Sequence, residues 1–264
     1  MIEVKDLQVI FNPGTVLENH AMKGLSLNIK QGEFVTVIGS NGAGKSTLLN
    51  ALSGEIQASS GQILIDNQDV TALPTHARSH WVARVFQDPL AGTCGDLTVE
   101  ENLALAARRG EGRRLGLALR PGDKARFQQQ LARLGLGLEK RLQDKMGLLS
   151  GGQRQAVSLL MAALQPMKIL LLDEHTAALD PKTADFVLQL TQDIIREHQL
   201  TALMVTHSMR QALSVGTRTI MLHGGKLALD VHGEQRQGMT VNDLLAQFSR
   251  QQGEEISDDS LLLG

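Results

Sequence analysis

One glycine-rich segment constrains the fold of this chain more than any other feature of its sequence. Residues 39–46 read Gly-Ser-Asn-Gly-Ala-Gly-Lys-Ser, a complete match to the G-x-x-x-x-G-K-[ST] pattern. An apolar, β-branched run precedes the segment, and apolar residues at helical spacing follow it. In this frame the N–H groups of the loop and the helix N-terminus attract phosphate. The sequence therefore predicts an α/β fold with a phosphate-binding loop between a buried strand and a helix.

The residues of this loop have separate predicted roles. We expect Lys45 to reach the β- and γ-phosphates of a nucleotide and the Ser46 hydroxyl to bind Mg²⁺. The remaining cradle residues, which would hold phosphate oxygens, are Gly39, Ser40, Asn41, Gly42, Ala43, Gly44 and Thr47. The alternative, a glycine-rich helix start that binds nothing, is disfavoured because the whole pattern matches in the right context.

Two acids follow a second buried strand. The apolar run at residues 169–172 leads directly into Asp173 and Glu174. Ligands of α/β proteins bind at the carboxyl ends of the parallel strands, and a phosphate loop needs a carboxylate for its metal there. We expect Asp173 to hold Mg²⁺, directly or through water, and Glu174 to act as the general base or to orient the attacking water.

A third segment has the features of a second anion-binding site. Leu149-Ser150-Gly151-Gly152-Gln153 stands before a predicted helix, so it offers a hydroxyl, free N–H groups and a helix dipole. One nucleotide seldom needs two phosphate cradles unless they face each other across an interface. The segment therefore predicts a dimer.

Composition excludes several other classes of protein. The 264 residues are 42% hydrophobic and 20% charged, which is enough apolar material for a core. The net charge of −2 argues against a dedicated nucleic-acid binder. Cys94, the single cysteine, allows neither an internal disulfide nor a cysteine-rich metal site. The N-terminus lacks a signal-peptide pattern, and no apolar run approaches the ~18 residues of a membrane span.

The order of apolar patterns predicts the layout of the chain. Alternation over the first thirty residues indicates antiparallel strands, whereas buried runs alternating with helices indicate a parallel sheet core. A helical insertion is expected at about 88–165, broken at residues 108–122, and a hairpin at residues 223–226. The core candidates of the insertion are Leu103, Leu105, Leu131 and Leu134. Residues 1–250 are predicted to form a single domain, with a flexible acidic tail at 251–264.

These motifs together resemble those of ATP-binding cassette (ABC) ATPases. The phosphate loop, the LSGGQ signature and the LLLDE strand occur in family order, and the resemblance covers about residues 2–248. It implies a P-loop NTPase ABC cassette with a parallel-sheet core, an N-terminal antiparallel β subdomain and a helical insertion subdomain. It also implies binding and hydrolysis of ATP with Mg²⁺ in a homodimer, where Ser150, Gly151, Gly152 and Gln153 contact the nucleotide.

The resemblance extends to further positions, one at a time. Gln87 resembles the Q-loop glutamine that contacts Mg²⁺ and water and senses the membrane partner. Asp180 resembles the D-loop aspartate that crosses the dimer interface, and His207 resembles the switch histidine that contacts the γ-phosphate. Two positions depart from the family pattern. Phe11 is the candidate for stacking on adenine in a chain without tyrosine, with a core strand residue as the alternative. His175 stands where many members carry proline. We expect the histidine to adjust the backbone without loss of chemistry.

The resemblance also implies partners. It predicts the energising subunit of a transporter, peripheral at the cytoplasmic face of the inner membrane, with integral permease subunits, a solute-binding protein and no nucleic acid. Residues 98–103 resemble bacterial importers, especially amino-acid systems, and residues 88–95 with the following helices would receive a permease helix. A lipid or lipoprotein export cassette is the alternative, and the basic residues 108–126 could lie near anionic headgroups or be a solvated surface.

Two other classes of ABC protein are less compatible with the sequence. A soluble member of translation or DNA repair is disfavoured because the chain has one cassette and no heptad run. A degenerate regulatory cassette is disfavoured because Lys45, Glu174 and His207 are all present.

Overall fold

The computed structural model describes residues 1–111 and 118–252 of the chain. The strands of the described residues are β1 (Ile2–Phe11), β2 (Asn19–Ile29), β3 (Phe34–Ile38), β4 (Ser60–Ile65), β5 (Gln68–Asp69), β6 (Val82–Val85), β7 (Ile169–Asp173), β8 (Ala202–Val205), β9 (Arg218–His223) and β10 (Lys226–His232). The α-helices are α1 (Lys45–Ser53), α2 (Thr75–Arg78), α3 (Val99–Ala106), α4 (Asp123–Ala132), α5 (Gly151–Ala163), α6 (Pro181–Glu197), α7 (Met209–Ser214) and α8 (Val241–Gln252). Short 3₁₀ helices lie at Leu138–Lys140, Met146–Leu148 and Gly233–Gln235.

The larger sheet confirms the predicted parallel core. Its order is β10-β9-β3-β8-β7-β6, with β9, β3, β8, β7 and β6 parallel and β10 antiparallel at one edge. Every residue of β3 is buried, which is typical of a parallel strand covered on both faces. This order brings the carboxyl ends of β3, β8 and β7 to one edge of the sheet as neighbours.

The smaller sheet is antiparallel, with the order β2-β1-β4-β5, as the alternation at the N-terminus predicted. Its inward residues share one apolar core with α1 and with one face of the parallel sheet. The helix α1 therefore packs against residues of both sheets. β4, β5, α2 and α8 were not predicted from the sequence.

The helical insertion has a core of its own, built from α3, α4, the first part of α5 and the segments between them. Leu103, Leu131 and Leu134 belong to this core, as predicted. The prediction for Leu105 is wrong, because its side chain is 54% exposed. Residues two apart on a helix point to different faces, so Leu105 cannot share the buried face of Leu103.

Two predicted segments fall partly outside the described residues. The acidic tail at 251–264 contributes its first two residues to the end of α8, and residues 253–264 lie outside the description. Residues 112–117 of the basic segment 108–126 are likewise not described. The predicted hairpin at residues 223–226 is confirmed by β9 and β10. Among the described helices, none has the length and apolar character needed to cross a bilayer.

A buried arginine closes the C-terminal end of α1. Arg78 is 1% exposed, and its guanidinium donates to the carbonyl oxygens of Ala51, Leu52, Thr71 and Leu73 at 2.5–3.0 Å. The last carbonyls of a helix have no partner within the helix and carry partial negative charge, so a cation satisfies them well. Arg78 thus fixes the far end of the helix whose first turn follows the phosphate loop.

We expect the Arg78→Met variant to lose about 2–4 kcal/mol of unfolding free energy, because buried carbonyl oxygens lose a charged donor. Urea unfolding followed by circular dichroism measures this loss. Arg196→Met, which removes an arginine whose side chain is 74% exposed, is the matched control and should stay within about 0.5 kcal/mol of the wild type. A loss below about 1 kcal/mol at Arg78 would contradict this account.

Candidate active site

The phosphate loop leaves β3 and ends where α1 begins, held closely by neighbouring backbone. Gly44 has a φ of 102°, and a Cβ there would lie 2.8 Å from the Met22 Sδ and 3.0 Å from the Ala21 carbonyl oxygen. The Gly225 N–H donates to the Ala43 carbonyl oxygen at 3.2 Å. β2 and the β9–β10 hairpin therefore confine the loop, and at Gly44 both the space and the dihedral angle require glycine.

Lys45 is a buried cation that points back into this loop. Its Nζ donates to the carbonyl oxygens of Gly39 at 2.7 Å and Ser40 at 3.0 Å, and the residue is 6% exposed. Burial lowers the pKa of Lys45, whereas the carboxylates of Glu174 and Asp173 act to raise it. The structure thus brings the predicted phosphate ligand and the two predicted acids into electrostatic contact. Ser46 is exposed in the first turn of α1.

Asp173 ends β7 and forms an ion pair that the sequence analysis missed. Its Oδ2 accepts from the Arg84 Nη2 at 2.6 Å. The Arg84 Nη1 also contacts the Asn50 Oδ1 at 2.7 Å and the Glu55 Oε1 at 2.9 Å. The available signal was one arginine within the otherwise apolar strand β6, which pairs with β7.

Glu174 and His207 lie side by side at the ends of β7 and β8. The Glu174 Oε1 and the His207 Nε2 are 2.7 Å apart, and their side chains are 10% and 36% exposed. Glu174 has a φ of 45°, and its N–H donates to the Val205 carbonyl oxygen at 3.1 Å. Such a left-handed conformation is costly for a residue other than glycine and is often found at functional sites. The structure therefore unites two residues that the sequence predicted separately.

A glutamine connects the two loops that carry this pair. The Gln211 Oε1 accepts from the Thr206 hydroxyl at 2.5 Å, and the Gln211 Nε2 donates to the Thr176 Oγ1 at 3.1 Å. Thr176 follows Glu174 by two residues, and Thr206 precedes His207. Gln211 on α7 thus supports both sides of the pair, and sequence reasoning did not identify it.

His175 is accommodated as a core residue. Its Nε2 lies 2.9 Å from the Thr191 Oγ1, which donates its own proton to the Val187 carbonyl oxygen at 2.8 Å, so the histidine is the donor. Burial lowers the pKa of His175 to about 4. The residue that replaces proline in the family pattern is therefore a neutral hydrogen-bonded side chain.

The signature segment packs against α6. Ser150 caps α5, with its Oγ accepting from the Gln153 N–H at 3.2 Å. A Cβ on Gly152 would collide with the Thr183 methyl group, and Asp180 caps α6 by accepting from the Thr183 N–H at 3.1 Å. In residues 1–111 and 118–252, no hydrogen bond joins the signature segment to the phosphate loop.

Gln87 and Phe11 are both accessible to a ligand. Gln87 is exposed directly after β6 and Phe86, and Phe86 accepts at its carbonyl oxygen from the Gln155 Nε2 of α5 at 3.1 Å. Phe11 ends β1 opposite Asn19 and is 36% exposed. The contacts that the sequence predicts for these two side chains stay predictions.

A cleft of about 2080 Å³ lies beside the site, between α2, β6, α3 and α5. Ala91 and Gly92 line it, within the segment 88–95 that the resemblance assigns to a permease helix, and the exposed Leu105 of α3 lines it as well. Arg84 also lines the cleft, so one side chain borders both the cleft and Asp173.

We expect the stability of this protein to fall as the pH drops from 6.5 towards 4, in part because of His175. In that window the unfolded histidine takes up a proton that the folded one refuses, so the lowered pKa makes stability rise with pH. The loss due to His175 between pH 7.5 and pH 5 should be about 2 kcal/mol. His175→Gln keeps a donor for Thr191 and should remove this part of the loss in urea unfolding. Equal pH dependence of the two proteins would refute the prediction.

Comparison with known proteins places this geometry in a family. The ABC transporter family profile matches residues 22–177. A tyrosine transport ATP-binding protein of Clostridioides difficile (strain R20291) is 47% identical over 94% of this chain and 98% of its own length. The thiamine import ATP-binding protein ThiQ of Escherichia coli (strain K12) is 36% identical over 88% of this chain and 91% of its length.

A solved structure agrees with these relatives. The dimeric structure of a bacterial ABC transporter cassette has a TM-score of 0.74 at 31% identity, covering 90% of this chain and all of that one. The same score is found for a dimeric post-hydrolysis cassette bound to ADP and phosphate, at 30% identity. The chain therefore belongs to the ABC transporter family, as an ATP-binding and ATP-hydrolysing cassette with the P-loop NTPase fold.

Proposed function

We propose that this chain is the ATPase subunit of a bacterial importer of amino-acid-like or other small solutes. One observation carries the solute class: the relative that is 47% identical over 98% of its own length is named for tyrosine transport. The direction is supported by relatives named for thiamine import, and another relative is named as an energy-coupling factor transporter subunit. The intact group of Lys45, Asp173, Glu174 and His207 supports an active enzyme.

The residues at the end of β7, at the start of α1 and just after β6 fit a bound Mg²⁺. The donors on offer are the Ser46 hydroxyl, the Asp173 carboxylate and the amide oxygen of Gln87, all oxygen ligands of the kind Mg²⁺ prefers. Within the described residues no group of three or more His, Cys, Asp or Glu could hold a metal by itself. This fits an ion that shares its coordination with phosphate oxygens and water, and that neutralises phosphate charge when bound.

Lys45 and its loop would bind the triphosphate. The Lys45 ammonium now donates to two loop carbonyl oxygens, and it would exchange these for β- and γ-phosphate oxygens without moving far. The loop residues 39–47 would supply backbone N–H groups and the dipole of α1. Phe11, exposed at the end of β1, would stack on adenine.

Glu174 and His207 would prepare the attacking water. The Glu174 carboxylate would take a proton from that water as the oxygen attacks the γ-phosphate. His207 holds this carboxylate at 2.7 Å, so the base has a fixed direction before ATP arrives. A histidine placed here can also contact the γ-phosphate, which would tie the position of the base to the presence of substrate.

The second cradle would act on the nucleotide of a partner copy. Ser150, Gly151, Gly152 and Gln153 start α5, where the helix dipole favours an anion, and Asp180 lies beside them at the start of α6. They pack against α6, and among the described residues they form no hydrogen bond with their own phosphate loop. A homodimer around two ATP molecules would complete both sites.

The permease would dock in the cleft beside β6. Ala91 and Gly92 line this cleft together with Leu105 of α3, and the lack of side-chain bulk at the first two would leave room for a permease helix. This assembly would hold the chain at the cytoplasmic face of the inner membrane, together with integral permease subunits and a solute-binding protein outside. No nucleic-acid partner is proposed.

The Glu174→Gln variant should bind ATP and accumulate as a dimer, because positioning survives while the water loses its base. Size-exclusion chromatography with ATP and Mg²⁺ measures the dimer, and turnover should fall by about 10²–10⁴-fold. Normal hydrolysis by Glu174→Gln would move the base elsewhere, with His207 the next candidate.

Lys45→Ala should abolish nucleotide binding, and Lys124→Ala, which changes an exposed lysine of α4, is its control.

The Ala91→Glu variant should keep the ATPase rate of the isolated subunit but lose its permease, because an unpaired buried charge at an interface is strongly unfavourable. The measurements are pull-down of the permease from detergent and ATP-driven uptake of L-tyrosine by proteoliposomes. Ala125→Glu, on the exposed side of α4, is the matched control and should keep both. If Ala91→Glu loses ATPase activity but keeps the permease, the loop serves the nucleotide instead.

A further inference from the structure

Arg84 is the most heavily engaged side chain near the candidate site that the proposed chemistry does not use. Its Nη2 donates to the Asp173 Oδ2 at 2.6 Å, and its Nη1 contacts the Asn50 Oδ1 at 2.7 Å and the Glu55 Oε1 at 2.9 Å. The guanidinium also lies 4.6 Å from the centre of the Phe86 ring. One side chain of β6 therefore joins the end of β7 to α1.

Contacts other than Asp173 also hold this guanidinium. Asn50 and Glu55 lie in α1 and just after it, and Phe86 follows β6, so they hold the group from other elements. The Arg84 side chain is only 9% exposed, and that of Asp173 is 15% exposed. Bonds between a guanidinium and a carboxylate are directional as well as strong. Arg84 is thus held from several sides, and its bond to Asp173 can restrict the orientation of that carboxylate.

We propose that Arg84 is a positioning residue that orients the Asp173 carboxylate for the metal of the nucleotide. The Nη2 bond occupies Oδ2 and leaves Oδ1 for a metal or a metal-bound water. The bond also places a positive charge beside Asp173, the residue next to Glu174 in the chain. This inference rests on the proposed role of Asp173 towards Mg²⁺.

A merely structural arginine would make a different prediction. If Arg84 only joined β6, β7 and α1, its loss would lower stability and disturb nucleotide binding with and without metal alike. A positioning role affects only the metal-dependent part, because Arg84 has no hydrogen bond to the phosphate loop among the described residues. Partners that orient a ligating carboxylate are typically worth about 10–100-fold in metal affinity.

The test uses the full chain with ADP and Mn²⁺ as the probes. Mn²⁺ binding to the ADP complex is followed by electron paramagnetic resonance, and ADP binding in EDTA by calorimetry. Arg84→Met should weaken Mn²⁺ binding about tenfold or more. Its affinity for ADP in EDTA should stay within about twofold of the wild type. Arg84→Lys, which can keep one bond to Asp173, should recover part of the Mn²⁺ affinity.

Controls separate this effect from a general loss of structure. Arg218→Met removes another largely buried strand arginine, paired with Asp230 and Glu33 away from the site, and should leave Mn²⁺ affinity unchanged. If Arg84→Met does not fold, the double variant Asn50→Ala/Glu55→Gln releases the guanidinium while keeping the arginine. It should then weaken Mn²⁺ binding severalfold.

The outcomes distinguish this inference from the proposed function. Asp173→Asn sets the level expected when the carboxylate is lost. If that variant binds Mn²⁺ as the wild type does, the metal role of Asp173 is wrong and the inference fails with it. If Asp173→Asn binds Mn²⁺ weakly and Arg84→Met binds it as the wild type does, only the positioning role is wrong. Tighter Mn²⁺ binding by Arg84→Met would also overturn it, because the arginine would then compete with the metal.

Discussion

The buried ammonium group of Lys45 depends on partners that several distant elements of this molecule supply. Taking a cation out of water is expensive unless hydrogen bonds and opposite charges surround it. The carbonyl oxygens of Gly39 and Ser40 supply the hydrogen bonds, and the carboxylates of Asp173 and Glu174 supply the charge. Those carboxylates are near because β8 and β7 follow β3 in the sheet, so the strand order supplies the charges that the buried lysine needs.

The loop that holds this lysine is enclosed from the other side by elements far away in sequence. Gly44 packs against Met22 of β2, and a Cβ on Gly39 would collide with the Leu222 carbonyl oxygen of β9. The N-terminal sheet and the C-terminal hairpin thus shape the cradle. A site for phosphate gains from such confinement, because donors that are already in place need not reorganise when charge arrives.

Local patterns in the sequence predicted the parts of the site that lie within one element. The strand β3, the glycine loop and the start of α1 form one continuous segment, and Asp173 with Glu174 follows a run of buried residues. The spacing of the apolar residues, and the glycines or acids that end each run, therefore identify both parts of the site. The role of Arg84 was not predicted because its partner Asp173 is 89 residues away in the sequence. Neither segment alone indicates which strand it pairs with. The prediction that Leu105 belongs to the core was wrong although its local pattern, an apolar residue in a helix, was identified correctly. The residue lies on the face of α3 that borders the cleft.

The end of β6 is where three functional regions of the cassette meet. Arg84 contacts the carboxylate of Asp173, and Phe86 accepts a hydrogen bond from Gln155 of the signature helix α5. Arg84 and Phe86 also line the cleft that we assign to the permease. Coupling between two sites requires an element that has two arrangements and is biased by both. Arg84 is anchored to α1 and β7 and is therefore a poor candidate for movement. Gln87 is exposed immediately beyond it, at the start of the segment that we propose as the permease contact. On that proposal the end of the strand stays fixed, and the loop after it is the part that would respond to a partner.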